Sequence, residues 1–185
     1  MPEVSTTQWA VLALAAVAVF WMVGAYNRLV ALRNAIGGAC GQIDLAVKHR
    51  GAALVPLVAA LREPLAGEQG ALDAFVAAHD QTALALAALC SQPVARASAA
   101  SWVRAETALA AASSRVMALL EQQPALVAAP AVAALVATWR EGESQLAFAR
   151  RVFDAAAQAY NDAAQQPPTS WLLRLFGFGP AGLLG

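Results

Sequence analysis

His49 and His79 are the two histidines of this chain, and no other side chain type changes charge between pH 5 and 8 without a strongly perturbing environment. A metal-ligand role for His79 would need a second His or a Glu one helical turn away, as in HExxH or ExxH patterns. His79 is followed by Asp80 and has neither, which favours a packed or hydrogen-bonded histidine. His49 lies in Lys48-His49-Arg50, a run that can touch anionic lipid headgroups or an anionic partner. The plainer reading of so short a run is a solvated basic face. Carboxylates number twelve and are scattered. Glu141 and Glu143 stand two apart, so on a helix they point to different faces and make no acid–base dyad. Ser98, Ser113 and Ser114 have no histidine near them in sequence, and no GxSxG, Walker or GxGxxG pattern occurs. The expectation is a protein without a catalytic constellation, cofactor or metal, and not an enzyme.

Composition points the same way. Hydrophobic residues make up 59% of the 185 residues and charged residues 13%. A soluble domain usually carries about 25% charged residues. Much of the excess is alanine, the best helix former. A formal net charge of +0 argues against nucleic-acid binding, which needs a basic surface to displace counterions. Cys40 and Cys90 are not in metal or CxxC spacing. They read as two small buried apolar side chains, and a disulfide between them requires an oxidising compartment.

Residues 8–27 carry no charge and run WAVLALAAVAVFWMVGAY from Trp9 to Tyr26. About 20 apolar residues suffice to cross the hydrocarbon core of a bilayer. Trp9 and Tyr26 mark the ends, at the level where amphipathic rings favour headgroups. The preceding MPEVSTTQ lacks the basic residues of a signal peptide, so the stretch reads as an uncleaved anchor. Arg28, Arg33, Lys48 and Arg50 all follow it. The positive-inside rule then places the remainder of the chain in the cytoplasm of a single-pass membrane protein.

Residues 28–166 read as four helical segments. The first continues from the span to about Glu63, with Leu29, Leu32, Ile36, Ala39, Ile43, Val47, Leu54, Leu57 and Leu61 at helical spacing and a kink expected at Pro56. A break follows at Pro64–Gly70. The second segment covers Ala71–Leu89, the third runs from beyond Pro93 to Gln123, and the fourth from Pro130 to before Pro167. The fourth alternates in steps of three and four through Val132, Leu135, Trp139, Gly142, Leu146, Ala149, Phe153, Ala156 and Tyr160. That is a coiled-coil-like seam. The third repeats it with Trp102, Ala105, Leu109, Ala112, Val116 and Leu119. Large residues alternating with Ala or Gly predict close antiparallel packing. The fold class is therefore all-α: an N-terminal transmembrane helix continuing into an elongated antiparallel up-and-down bundle. Residues 167–185 form an apolar, aromatic tail. If four helices alternate in direction, Trp171, Phe176 and Phe178 return to the bilayer surface, or else fold back over the end of the bundle.

Two ordered sets of motifs stand out. The first is Tyr26-Asn27-Arg28-Leu29-Val30, Leu32-Arg33-Asn34, Gln42-Ile43-Asp44, Lys48-His49-Arg50 and Leu54-Val55-Pro56-Leu57-Val58. The second is Phe148-Ala149-Arg150-Arg151-Val152-Phe153, Ala159-Tyr160-Asn161, Pro168-Thr169 and Leu175-Phe176-Gly177-Phe178. The middle agrees in layout, through Ala105-Glu106-Thr107 and the Gln123-Pro124 turn. Together these motifs resemble the LemA family, and the resemblance implies a bacterial, membrane-anchored helical bundle and supplies no biochemical activity. Departures are Asp154 where Asn is common, Cys40 where an aromatic is common, and a middle richer in alanine. Asp44, Arg150, Arg151 and Asn161 are the polar residues within the matching motifs, on helices expected to face each other. Their expected role is structural, with Asp44 pairing with an arginine across the bundle. The function expected is an interaction or scaffold module with a protein partner. The alternatives are an accessory subunit of a membrane-associated enzyme, or an element that binds or remodels the membrane surface.

Overall fold

The computed structural model describes residues 6–167 and 179–185. Five helices account for the first stretch: α1 (Thr6–Arg62), α2 (Gln69–Ser91), α3 (Arg96–Glu121), α4 (Pro124–Val127) and α5 (Pro130–Gln165). No strand occurs among the described residues. The fold is all-α, and the four long helices match the four segments read from the sequence. The short α4 is the exception, a single turn with Pro124 at its first position, where a missing N–H costs nothing.

Helix α1 is continuous over 57 residues and runs through Pro56 without a break. At 1.5 Å per residue it is about 85 Å long. Its first third is apolar and exposed: Trp9, Leu12, Leu14, Val17, Phe20 and Trp21 all lie open. Its most apolar 18-residue window has mean hydropathy 2.0 and is wholly unburied, so this part is long and apolar enough to cross a membrane. Burial begins at Leu29. α2 also passes that length-and-composition test, but it lies along the bundle with Leu72, Phe75, Leu86 and Leu89 in the core.

The bundle is built from two tight antiparallel pairs, α1 with α5 and α2 with α3, joined through α1 and α2. The α5 seam thus packs on α1, not on α3. Register can be followed residue by residue. Arg50 meets Gly142, and Arg28 reaches Gln166 at 3.4 Å, so α1 and α5 run in opposite directions. Gly51 meets His79 and Cys40 joins Cys90, so α2 also runs back along α1. The turn between them is locked by Gln69, whose Nε2 donates to the carbonyls of Arg62 (2.6 Å) and Leu65 (3.2 Å). The carbonyl of Arg62 is one of the orphan acceptors at the end of α1.

Gly142 sets the separation of α1 and α5. A Cβ added there would lie 2.7 Å from the Cα and Cβ of Arg50. Backbone cannot yield as a flexible side chain can, so Gly142→Ala forces the helices apart. The expected loss is about 1–3 kcal/mol, the usual cost of overpacking. The alanine's helix propensity, worth up to about 1 kcal/mol, opposes it. Gly37→Ala and Gly38→Ala meet no atom within 4 Å and are expected to stabilise by that propensity alone. Thermal denaturation of the three variants separates the two effects by sign.

Candidate functional site

A charged layer crosses the middle of the apolar bundle. The buried positions of α3 are Ala99, Trp102, Glu106, Leu109, Ser113, Val116 and Leu120, in strict steps of three and four. The seam expected from apolar residues alone took Ala105, Ala112 and Leu119 in place of Glu106, Ser113 and Leu120. Those three are only half-buried. On α1 the buried steps run Ile43, Val47, Arg50, Leu54, Leu57 and Leu61. The missing step between Val47 and Leu54 is filled by an arginine.

These two charges meet. Arg50 is 2% exposed and Glu106 8%. The guanidinium donates from Nη2 to Oε1 at 2.6 Å and from Nη1 to Oε2 at 3.0 Å, a bidentate pair. Its carbon also lies 5.2 Å from the ring centre of Trp139, a cation–π contact. Trp139 in turn meets Phe75 of α2 edge-on at 4.8 Å. Lys48-His49-Arg50 is therefore not a solvated basic face: Lys48 is exposed, but Arg50 points into the core.

His79 completes the layer from α2, its ring close over Gly51. Burial pushes its pKa down, and the charge of Arg50 adds to that, while Asp80 and Glu106 pull the other way. His79 is thus neutral in the folded protein at pH 7. The unfolded chain takes up a proton near pH 6.5, the ordinary histidine value. Stability is then fully present above that value and is lost as pH falls from it towards the lower folded pKa. His79→Leu should remove this part of the acid sensitivity. Denaturation midpoints at pH 7.5 and 5.5 check it, and an unchanged difference between them in the variant would refute it.

Arg50 and Glu106 form the floor of a cleft of about 350 Å³ between α3 and α5. Val103, Thr107 and Ala110 line one wall, and Glu143, Leu146 and Arg150 the other. The two floor charges pair through both Arg50 Nη groups and both Glu106 oxygens, and Arg50 Nε is left buried without a hydrogen-bond partner. No group of three or more His, Cys, Asp or Glu able to hold a metal occurs among the described residues.

The marked polar residues separate into two groups. Asp44 does not pair across the bundle: it accepts from Lys48 on its own helix at 2.6 Å, with side chains 40% and 71% exposed. An exposed pair four residues apart contributes about 0.3–0.5 kcal/mol. Arg151 is exposed. Arg150 and Asn161 do meet a common target, together with Asp154, and that target is the end of the chain. Asn161 accepts from the N–H of Ala181 at 2.8 Å and donates to its carbonyl at 3.1 Å. Asp154 accepts from the N–H of Leu184 at 2.6 Å. Arg150 donates to the carbonyls of Leu184 (2.6 Å) and Gly185 (3.3 Å), while stacked 5.3 Å above the ring of Trp102. Trp171, Phe176 and Phe178 lie outside the described residues.

A family model of the LemA family matches residues 39–184. The chain belongs to the LemA family. The matched stretch takes in the Arg50–Glu106 pair and the tail contacts of α5. No curated protein matches this LemA protein. Sequence reading passed over Arg50, Glu106, His79 and Asp154 as site residues. The signal for the first two was present, as a gap in the α1 seam and a charge one heptad step from Trp102.

The same fold brings the only two cysteines together. Cys40 on α1 and Cys90 on α2 form a disulfide, with Cα atoms 5.7 Å apart and a sequence separation of 50. Cys40 is buried and Cys90 exposed.

Proposed function

We propose that this LemA protein is a membrane-anchored scaffold, a helical bundle held at the bilayer by α1 that engages a protein partner through its surface. The observation that carries it is α1 itself. One uninterrupted helix supplies both a bare apolar span and a full-length wall of the bundle core. A soluble protein would not leave so much contiguous apolar surface in water. The charged layer supports a structural task, because the two Arg50 Nη groups and both Glu106 carboxylate oxygens bond to each other.

The flanking arginines and lysine favour a cytoplasmic bundle, whereas the Cys40–Cys90 disulfide favours the oxidising face. Cytosolic thiols are kept reduced. We place the bundle on the oxidising side, since a small excess of basic residues sets orientation weakly while a structural disulfide needs its compartment. Proximity labelling with the tag fused behind α5, in intact cells, tests both parts. It should mark a small, reproducible set of envelope proteins on that face. Labelling of cytosolic proteins alone overturns the sidedness, and labelling no different from that of a bare anchor helix overturns the scaffold.

An accessory role beside a membrane enzyme is the second reading. It is supported by the cleft, where Arg50, Glu106, Glu143 and Arg150 converge in a space that another chain can close.

A further inference from the structure

The last described segment is held in a way that reads backbone more than side chains. Residues Arg150, Asp154 and Asn161 are spaced four and seven apart, so they share one face of α5. Between Asp154 and Asn161 the helix rises about 10.5 Å. Their partners, Leu184 and Ala181, are three residues apart, which spans about 10 Å in an extended chain. The tail therefore runs extended and antiparallel along α5, with the side chains of Ala181 and Leu184 both buried, at 3% and 1% exposure. Between them Gly182 passes over α3, where an added Cβ would lie 2.6 Å from the Cβ of Ala99 and 3.0 Å from the Cα of Arg96. Leu183 points out to solvent. The groove thus requires Ala, then Gly, then any residue, then Leu, and it hydrogen-bonds the backbone of two of the four.

We propose that this groove is a receptor for an extended Ala-Gly-x-Leu segment, and that a second copy of the chain supplies it by exchange of tails. The proposal rests on reading the bundle as an interaction module and names a partner for it. Exchange replaces each contact by an identical one, so its enthalpic cost is small. The connection allows it. Gln166 caps α5 just before the connection, and Tyr160, whose hydroxyl donates to the carbonyl of Gly179 beyond it at 3.5 Å, lies about 9 Å back along the helix. Residues 168–178 number eleven, enough chain to reach about 36–40 Å. Two copies held in one membrane by α1 meet at high local concentration, which favours exchange further.

The test uses the full chain in lipid nanodiscs. A variant ending at Phe178 is titrated with the fluorescent peptide Gly-Pro-Ala-Gly-Leu-Leu-Gly, and anisotropy is read. Saturable binding is expected, weakened about tenfold or more by Asn161→Ala, which removes two backbone contacts. A peptide with the Leu184 position changed to Asp should not bind, and this control leaves the protein untouched. Exchange is then read by co-reconstituting the tail-less variant with a chain carrying Asp154→Ala and Asn161→Ala. One offers only a groove and the other only a tail, so a heteromer is expected from the mixture and from neither alone. Absence of peptide binding overturns the receptor. Peptide binding without a heteromer overturns the exchange. Neither result alters the proximity-labelling test of the scaffold reading.

Discussion

Glu106→Leu and Arg50→Met, made singly, are each expected to destabilise the bundle by about 3–5 kcal/mol. Either change leaves one full charge buried without its partner, and the penalty for an unpaired buried ion exceeds the loss of the hydrogen bonds themselves. Made together, they are expected to return stability to within about 1 kcal/mol of the parent, or beyond it. An apolar pair of similar volume escapes the desolvation of two ions. Met at position 50 can also keep a sulfur–aromatic contact with Trp139. Denaturation of the four proteins in detergent, followed by far-ultraviolet circular dichroism, measures the cycle. Near-additive losses in the double variant would mean that the pair is not the unit of stability described here. The ion pair fixes which faces meet: Arg50 can be satisfied only where Glu106, Trp139 and Gly142 stand at one level. The double variant should therefore keep its stability and lose some uniqueness of packing.

Loss of the Cys40–Cys90 bridge is expected to have the second-largest effect. Closing a loop of 50 residues in the unfolded chain corresponds to about 4 kcal/mol in the chain-entropy account, and native bridges typically contribute about 2–4. For a chain of this size that is a fall in Tm of roughly 5–15 °C. Reduction of the parent and the double change Cys40→Ala and Cys90→Ala should lower Tm alike, and reductant should not affect the double variant. Equal Tm values with and without reductant in the parent would contradict the bridge. Cys90 is exposed, so reductant reaches it without global unfolding.

What the sequence reveals and conceals here follows from how its pattern is written. Helix positions were legible because Ala-rich segments are separated by Pro64, Pro93, Pro124 and Pro130, which interrupt hydrogen bonding wherever they fall. The long apolar stretch at the start of α1 was legible because charge is absent from residues 8–27. Most of the α5 seam was legible because its buried positions are apolar or Gly, although Ala157 is buried where Ala156 was read and Leu135 is only half-buried. The α3 seam was misread by one position in alternate steps, since Glu106 and Ser113 are buried and an apolar scan rejects them. Two charges on different helices become neighbours only through tertiary register, and a one-dimensional pattern does not carry it. The disulfide was concealed for the same reason. Asn161 was marked through its motif and Asp154 only as a departure from one, but what they bind was concealed, because their partners are backbone groups of residues 181 and 184, which any sequence possesses.

The claim beneath the proposed function is that the apolar third of α1 resides in a bilayer while the bundle folds behind it. Alkaline extraction of membranes is the direct measurement. The full chain should stay in the pellet at high pH, and a chain lacking residues 1–27 should move to the supernatant with its helical circular dichroism retained. Full-length protein released by the wash contradicts the anchor, and a truncated chain without helix contradicts the bundle behind it.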